Sequence, residues 1–134
     1  LEFRRVLFRS PTFRMKRFRN WCVGAILRAM KKVAAEFLPP LLSVWAERFG
    51  LTYRKVRITA ARSRWGSCTS AKTISLSCYL MLVPSHLIDY VILHELAHTR
   101  EMNHGPRFWE LLDSMTAGQA LRLRGELRRF QPSF

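Results

Sequence analysis

The stretch from Tyr90 to His98, which reads YVILHELAH, limits what this chain can fold into more than any other part of the sequence. The residues from Leu87 to Leu93 are mostly apolar, which is typical of a buried segment. His94 and His98 are four positions apart, so on an α-helix their imidazoles lie one above the other on one face. Ionisable groups are costly inside a protein unless they are paired or bound to a metal. The stretch therefore predicts a buried helix that carries a metal site.

The order of residues on this helix indicates the chemistry of that site. Glu95 follows His94 by one position, about 100° around the helix. It can therefore lie beside a metal ion without binding it and take a proton from a metal-bound water. The pattern His-Glu-x-x-His is that of zinc metalloproteases, in which the glutamate is the general base. The alternative interpretation is a buried helix whose histidines are only hydrogen-bonded.

A third zinc ligand is expected downstream of the helix. A catalytic zinc usually has three protein ligands and leaves one position for water. His104 lies six residues after His98 and is followed by a glycine, as expected at a turn. Glu101, three residues after His98, is the rival ligand. Because neutral imidazole is a good zinc ligand, we predict that His104 completes the site.

The charge of the chain suggests a second class of function. The formal net charge is +14, and many of the basic residues lie in segments 14–32 and 122–129. Such a balance suits binding to nucleic acid. Aromatic residues are not interleaved on the basic faces, however, as a base-stacking surface requires, which favours solvated helix faces. The alternatives to a peptidase are therefore a basic, nucleic-acid-associated zinc-binding module and an inactive fragment.

Cysteine usage and hydropathy indicate the environment of the chain. The three cysteines are Cys22, Cys68 and Cys78, and no two have C-x-x-C spacing. Their odd number and spacing argue against a disulfide framework and against a cysteine zinc site. We therefore expect a reducing, cytoplasmic location. No apolar run reaches the roughly 18 residues of a membrane-spanning helix, so no membrane span is expected.

The first ten residues, LEFRRVLFRS, resemble one translated reading frame of a common sequencing adapter. They also lack the sustained apolar core of a signal peptide. We therefore exclude residues 1–10 from fold reasoning. Residues 11–134 are expected to form a single domain whose natural N-terminal part is missing.

Hydrophobic spacing predicts two helices in the first third of the chain. The first runs from Thr12 to Leu38, because apolar residues recur there at intervals of three and four. Pro39-Pro40 is expected to break it, since proline supplies no N–H group. A second helix then runs to Phe49, with Gly50 as its C-terminal cap. The apolar positions of the first helix are Met15, Phe18, Cys22, Ile26, Ala29, Val33 and Phe37.

Alternating residues predict short strands before the histidine-bearing helix. Lys55–Ala60 and Ile74–Ser77 alternate in strand fashion, and 80–83 is expected to extend the sheet. The segment 62–68 is predicted to be a loop. After the helix, Gly105-Pro106 turns the chain into another helix with apolar residues such as Phe108 and Trp109. A basic amphipathic helix is predicted over 117–130.

Five short motifs follow one another in the second half of the chain. They are Arg64-Trp65-Gly66-Ser67-Cys68, Ile88-Asp89-Tyr90-Val91, His94-Glu95-Leu96-Ala97-His98, Asn103-His104 and Phe108-Trp109. In this specific combination and order they resemble the YgjP-like metallopeptidase family, a relative of the SprT-like group. The resemblance covers about residues 37–130. The family has a longer β-rich N-terminal region, which is replaced here by the adapter-like residues.

The resemblance implies both a fold and a site. The implied fold is α+β and zincin-like, with a small antiparallel or mixed sheet packed on the active-site helix and with flanking helices. The implied zinc ligands are His94, His98 and His104, and the implied catalytic acid/base is Glu95. Peptide or protein substrates would be hydrolysed through a zinc-bound water. Tyr90 and Arg64 are candidates for stabilising the oxyanion, although Tyr90 is more readily interpreted as a packing residue with a hydrogen-bonded hydroxyl.

Overall fold

The structure, a computed structural model, describes residues 11–130. Its elements in chain order are α1 (Pro11–Phe49), β1 (Lys55–Thr59), β2 (Gly66–Cys68), β3 (Thr73–Ser77), a 3₁₀ helix (Cys78–Leu82), α2 (Ser85–His98), α3 (Pro106–Met115) and α4 (Ala120–Arg128). The expectation that residues 1–10 are not native concerns a segment outside the described residues.

Helix α1 is continuous through Pro39-Pro40, so the predicted break into two helices is wrong. The two prolines lack N–H groups, which leaves the carbonyls of Ala35 and Glu36 without their usual helical donors. Both of these residues are exposed, so water can bond the carbonyls. Leu38 and Leu42, which flank the prolines, are fully buried. Burying two leucines contributes about 3–6 kcal/mol, which is comparable to the roughly 6 kcal/mol or more by which two interior prolines disfavour a helix.

The core-facing side of α1 is not the apolar stripe that predicted the helix. The buried residues are four apart and are Ala34, Leu38, Leu42 and Ala46. Most of the predicted stripe is exposed, including Met15, Phe18, Ile26, Val33 and Phe37. The predicted cap is confirmed, because Gly50 ends the helix with a positive φ of 63°.

The sheet has three strands in the order β1-β3-β2, with β3 in the centre. Strand β1 runs parallel to β3, and β2 runs antiparallel to it, so the predicted mixed sheet is confirmed. Ile74 and Leu76 of β3 are fully buried. The segment predicted as a loop contains β2, whose Gly66 pairs with Leu76. The strands predicted at Lys55 and Ile74 are present within one residue at each end.

Ser77 ends the central strand and starts a tight helix. Its hydroxyl donates to the Ala61 carbonyl at 2.7 Å and accepts the backbone N–H of Tyr79 at 3.2 Å. A serine hydroxyl that bonds the backbone two residues on turns the chain away from an extended course. The 3₁₀ helix Cys78–Leu82 follows, so the predicted strand over 80–83 is wrong.

Helix α2 is the element on which the rest of the fold packs. It buries ten of its fourteen residues and contacts α1, β2, β3, α3 and α4. Trp45 of α1 donates its indole N–H to Asp89 of α2 at 3.0 Å. His86, at the start of α2, contacts Glu126 of α4 at 2.7 Å. These contacts join the histidine-bearing helix to α1 on one side and to α4 on the other.

Helices α3 and α4 cover the far side of α2 and complete the predicted α+β architecture. Helix α4 is shorter than the predicted 117–130, because Ala117 and Gly118 both have positive φ angles, which a right-handed helix does not accommodate. Phe108 and Leu112 of α3 are fully buried. Within residues 11–130, no helix has the length and apolar character needed to cross a bilayer.

Candidate metal centre

Three histidines converge at the C-terminal end of α2. His94 and His98 lie one turn apart on the helix, with ring centroids 5.0 Å apart. His104 lies in the segment between α2 and α3, and its ring is 5.2 Å from His94 and 4.6 Å from His98. One nitrogen from each ring lies within 4.8 Å of the other two. The three predicted ligands are therefore brought together.

The spacing of these nitrogens fits a single small metal ion. Nε2 of His94 and Nε2 of His104 are 3.2 Å apart. Two nitrogens bound tetrahedrally to one zinc at about 2.0–2.1 Å lie about 3.4 Å from each other. A small adjustment of side chains thus suffices for both imidazoles to bind the same ion. No cysteine or carboxylate joins the three histidines within residues 11–130.

The orientation of His98 is set by the backbone after the helix. Its Nδ1 lies 3.1 Å from the carbonyl oxygen of Glu101. A carbonyl only accepts, so Nδ1 carries the hydrogen and Nε2 keeps its lone pair for a metal. Glu101 therefore contributes its backbone to the site, while its side chain does not belong to the cluster.

Phe108 forms the wall on which the three imidazoles pack. Its ring centroid lies 4.9 Å from His94, 4.5 Å from His98 and 4.8 Å from His104, and the residue is fully buried. The sequence identified Phe108 only as a core residue. Its place in the Phe108-Trp109 motif quoted above is the sequence signal for this second role.

Burial favours the neutral form of His94 and His98. Burial lowers the pKa of His94 from 6.5 to about 3, with repulsion from His98, His104 and Arg124 as further causes. Burial also lowers the pKa of His98, although hydrogen bonding to backbone carbonyls opposes the change. A neutral imidazole is the form that binds a metal.

Glu95 lies on the sheet side of α2 and is almost entirely buried. A Cβ atom built on Gly66 of β2 would come within 2.9 Å of Glu95 Cγ and 3.0 Å of its Oε1. Burial raises the pKa of the Glu95 carboxyl from 4.5 to about 8, and the Arg64 guanidinium offsets part of the rise. Sequence reasoning gave Gly66 no role, although it lies in the quoted Trp65-Gly66-Ser67-Cys68 motif.

Tyr90 lies one turn before His94, with their rings 5.9 Å apart. Its hydroxyl is buried and has no hydrogen-bond partner among the described residues. The interpretation of Tyr90 as a packing residue with a hydrogen-bonded hydroxyl is therefore wrong about the hydrogen bond. Burial raises the pKa of this phenol to about 12, so it stays protonated at neutral pH.

A cavity of about 380 Å³ opens beside the histidines. Its lining consists of His94, His104, Trp109 of α3 and Arg124 of α4. The Arg124 guanidinium carbon lies 5.4 Å from the centre of the Trp109 ring. The sequence assigned Arg124 to a solvated basic face, because its distance from the motif gave no sign that α4 folds back over the site.

Comparison with known proteins agrees with this arrangement. The sequence pattern of the YgjP-like metallopeptidase domain matches residues 13–129. The fold is similar to that of the metallopeptidase zymogen abylysin of Pyrococcus abyssi, with a TM-score of 0.62 and 21% identity over 71% of this chain and 96% of that chain. It is also similar to the metallopeptidase zymogen jannalysin of Methanocaldococcus jannaschii, with a TM-score of 0.52 and 21% identity over 66% of this chain and 95% of that chain. No curated protein matches the chain. With three converging histidines and a pattern match over most of its length, this chain belongs to the YgjP-like metallopeptidase domain family.

Proposed function

We propose that the domain is a zinc-dependent peptidase in which His94, His98 and His104 bind one zinc ion and Glu95 is the general base. The observation that carries the proposal is the convergence of three imidazole nitrogens within 4.8 Å, in a chain of a metallopeptidase family. A structural zinc site is usually closed by a fourth protein ligand. The three-histidine set of the described residues supports an open, catalytic site.

The donor set fits a nitrogen-binding metal such as zinc. Imidazole nitrogens suit zinc, whereas calcium and magnesium prefer oxygen ligands. When bound, zinc would supply a Lewis acid that polarises the scissile carbonyl and lowers the pKa of water to about 7. The hydrogen bond from His98 Nδ1 to the Glu101 carbonyl leaves Nε2 ready for this role.

Glu95 supplies proton transfer. Its carboxylate takes a proton from the attacking water and then delivers it to the leaving amine. Burial supports this role, because it raises the pKa of the carboxyl toward the range in which a group both accepts and returns a proton near neutral pH. The close contact with Gly66 limits the positions that the side chain can adopt.

The peptide substrate would bind along the edge of the sheet. From its sequence, the strand Ile74–Ser77 just before α2 is one candidate for an exposed edge that holds an extended peptide, but this prediction is wrong, because β3 is paired on both sides. The edge strand next to α2 is β2, and its Gly66 contacts Glu95. An extended peptide that adds to β2 would therefore pass the general base.

The decisive experiment is Glu95→Gln, measured for both zinc content and peptide hydrolysis. The substitution keeps the shape of the side chain and leaves the three histidines unchanged, so about one zinc per chain should remain bound. General acid–base catalysis contributes typically about 10²–10⁴-fold, so hydrolysis of a fluorogenic peptide should fall by at least that factor. Glu47→Gln, which removes an exposed carboxylate from α1, is the matched control and should leave both unchanged.

Three results would contradict the proposal. Equal loss of zinc and hydrolysis in Glu95→Gln would mean that Glu95 supports the ligands and is not the base. Unchanged hydrolysis would mean that the activity does not arise at this site. Retention of zinc in a variant with alanine at all three histidines would rule out the ligand assignment.

A further inference from the structure

We propose that Arg124 binds a carboxylate of the peptide substrate in the cavity beside the metal centre, and so makes the enzyme selective for peptides that carry a carboxylate near the cleaved bond. The inference rests on the peptidase function proposed above and names a substrate class for it. The carboxylate is either the free C-terminus of the peptide or the side chain of an aspartate or glutamate.

The first argument is position. Arg124 lines the same cavity of about 380 Å³ as His94 and His104. The lining residues come from α2, from the segment before α3, from α3 itself and from α4. A cavity of this size accommodates a small ligand or one to two residues of a peptide. A peptide whose carbonyl lies at the histidines therefore has neighbouring groups within reach of Arg124.

The second argument is that Arg124 is held in place. Its guanidinium carbon lies 5.4 Å from the centre of the Trp109 ring, a distance typical of a cation–π contact. The Trp109 ring in turn packs edge-on against the fully buried Phe108, with centroids 5.3 Å apart. The same Phe108 ring contacts the three histidines. A series of ring contacts thus connects the arginine to the metal centre.

The third argument is charge. Within residues 11–130, no carboxylate forms an ion pair with Arg124, and the one ion pair on α4 joins Glu126 to His86. Among the four residues that line the cavity, Arg124 is the one whose side chain is permanently charged. Glu95 is turned toward β2. The cavity therefore carries uncompensated positive charge, and its complementary ligand is an anion.

The fourth argument is the chemistry of the side chain. A guanidinium presents a planar fork of N–H donors that matches a carboxylate with two parallel hydrogen bonds. The contact with the Trp109 ring is not an ion pair, so the guanidinium can still pair with a carboxylate. Arg122, two residues earlier on α4, differs in this respect, since it donates to Gln119 at 2.7 Å.

The test measures peptide binding to zinc-loaded Glu95→Gln protein, which does not consume the peptide. The probes are four fluorescently labelled alanine-based tetrapeptides. One has a free C-terminus and one has a C-terminal amide. The other two are amidated and carry either one glutamate or one glutamine at the same position. The first pair reports on a terminal carboxylate and the second on a side-chain carboxylate.

We expect the free-acid peptide, the glutamate peptide or both to bind more tightly than the matched neutral peptide. Adding Arg124→Ala should remove that preference by weakening the carboxylate peptide about tenfold or more, as expected for a lost hydrogen bond between charged groups, with little change for the neutral peptides. Arg122→Ala is the matched control and should leave all affinities unchanged. An equal effect of Arg124→Ala on charged and neutral peptides, or no effect, would overturn the inference.

Hydrolysis by the otherwise unchanged protein separates this inference from the proposed function. If the chain cleaves charged and neutral peptides equally well with and without Arg124→Ala, the carboxylate subsite is wrong and the peptidase stands. If no peptide is cleaved but Arg124→Ala selectively weakens carboxylate peptides, the subsite stands and the peptidase assignment fails.

Discussion

The carboxyl-bearing side chain of Glu95 packs directly against the backbone of Gly66. A methyl group at position 66 would lie 2.9 Å from Glu95 Cγ and 3.1 Å from the carbonyl oxygen of Ser75. Gly66 does not have a positive φ, so its backbone conformation is open to any residue. The constraint is therefore space: β2 approaches α2 this closely because position 66 lacks a side chain.

Gly66→Ala should impair catalysis while leaving the metal in place. The added methyl group must displace either Glu95 or the backbone of β3, and such overpacking typically costs about 1–3 kcal/mol. We expect kcat for peptide hydrolysis to fall at least about tenfold, since an error near 1 Å in a catalytic group costs up to 10²-fold. Zinc content should stay near one per chain. Gly24→Ala is the control, because its added Cβ would meet only the Arg28 side chain, at 3.4 Å. A decrease in zinc content equal to the decrease in kcat would contradict the prediction.

The choice between His104 and Glu101 as third ligand can be tested by zinc affinity. His104→Ala should lower the affinity by more than about 100-fold, because loss of a group that only supports a ligand already costs 10–100-fold. Glu101→Ala should leave the affinity nearly unchanged, since Glu101 acts through its backbone carbonyl. Competition with a chromogenic chelator measures both values. If Glu101→Ala lowers the zinc affinity more than His104→Ala does, Glu101 is the third ligand.

Tyr90→Phe should not destabilise the protein. The Tyr90 hydroxyl is buried without a partner among the described residues, and a buried unsatisfied polar group costs about 1–3 kcal/mol. Urea unfolding should show a free energy of unfolding that is equal or higher in the variant. Tyr79→Phe is the contrasting variant and should be destabilised, because the Tyr79 hydroxyl accepts a hydrogen bond from Arg62 at 3.3 Å.

The same variant tests whether Tyr90 stabilises the oxyanion. A donor to the oxyanion contributes typically about 10²–10³-fold to kcat. If Tyr90→Phe lowers kcat by less than about threefold, the decrease is far smaller than the loss of an oxyanion donor would cause, and the side chain is a packing residue. A decrease of 10²-fold with unchanged stability would instead assign it to the catalytic machinery.

The sequence predicted the elements of the site better than the surroundings of the site. His94, Glu95 and His98 follow from helical spacing alone, which a local pattern records completely. His104 required an argument about ligand number. Arg124 and Gly66 were missed because their roles depend on how α4 and β2 fold back onto α2, and no local pattern records that contact.

The errors in the fold have the same origin. Proline chemistry predicts a break after Leu38, but burial of Leu38 and Leu42 overrides it. The strand predicted over 80–83 is replaced by a 3₁₀ helix, because the Tyr79 N–H donates to the Ser77 hydroxyl and turns the chain. The sequence alone does not show this hydrogen bond. The apolar stripe of α1 predicted the helix correctly but predicted the wrong buried face, because several faces of this helix carry apolar residues.

Pro40→Ala should stabilise the protein. Pro40 is exposed, and alanine would restore an N–H group to a helix that is continuous at this position. Proline is about 3 kcal/mol less favourable than alanine in a helix interior, whereas its stiffening of the unfolded chain offsets only about 1 kcal/mol. The free energy of unfolding should therefore rise by about 1–2 kcal/mol. A decrease in thermal unfolding experiments would show that the proline ring itself is needed for packing.

Binding of nucleic acid through the basic helices stays a prediction of the sequence. If the charge of +14 serves this purpose, affinity for duplex DNA should fall steeply between 50 mM and 200 mM salt, since phosphate contacts release counterions. It should not depend on base sequence. A gel-shift experiment without binding at low salt would leave only the solvated-face interpretation.

The three proposed metal ligands lie within a single stretch from His94 to His104. Closing so short a loop costs little conformational entropy, because this cost grows with the length of chain between the joined residues. The proposed general base differs, since its position depends on Gly66, 29 residues away in the chain. We therefore expect metal binding to depend mainly on this stretch and peptide hydrolysis to depend also on the sheet. Family members that lack parts of the sheet should still bind the metal but should not hydrolyse peptides.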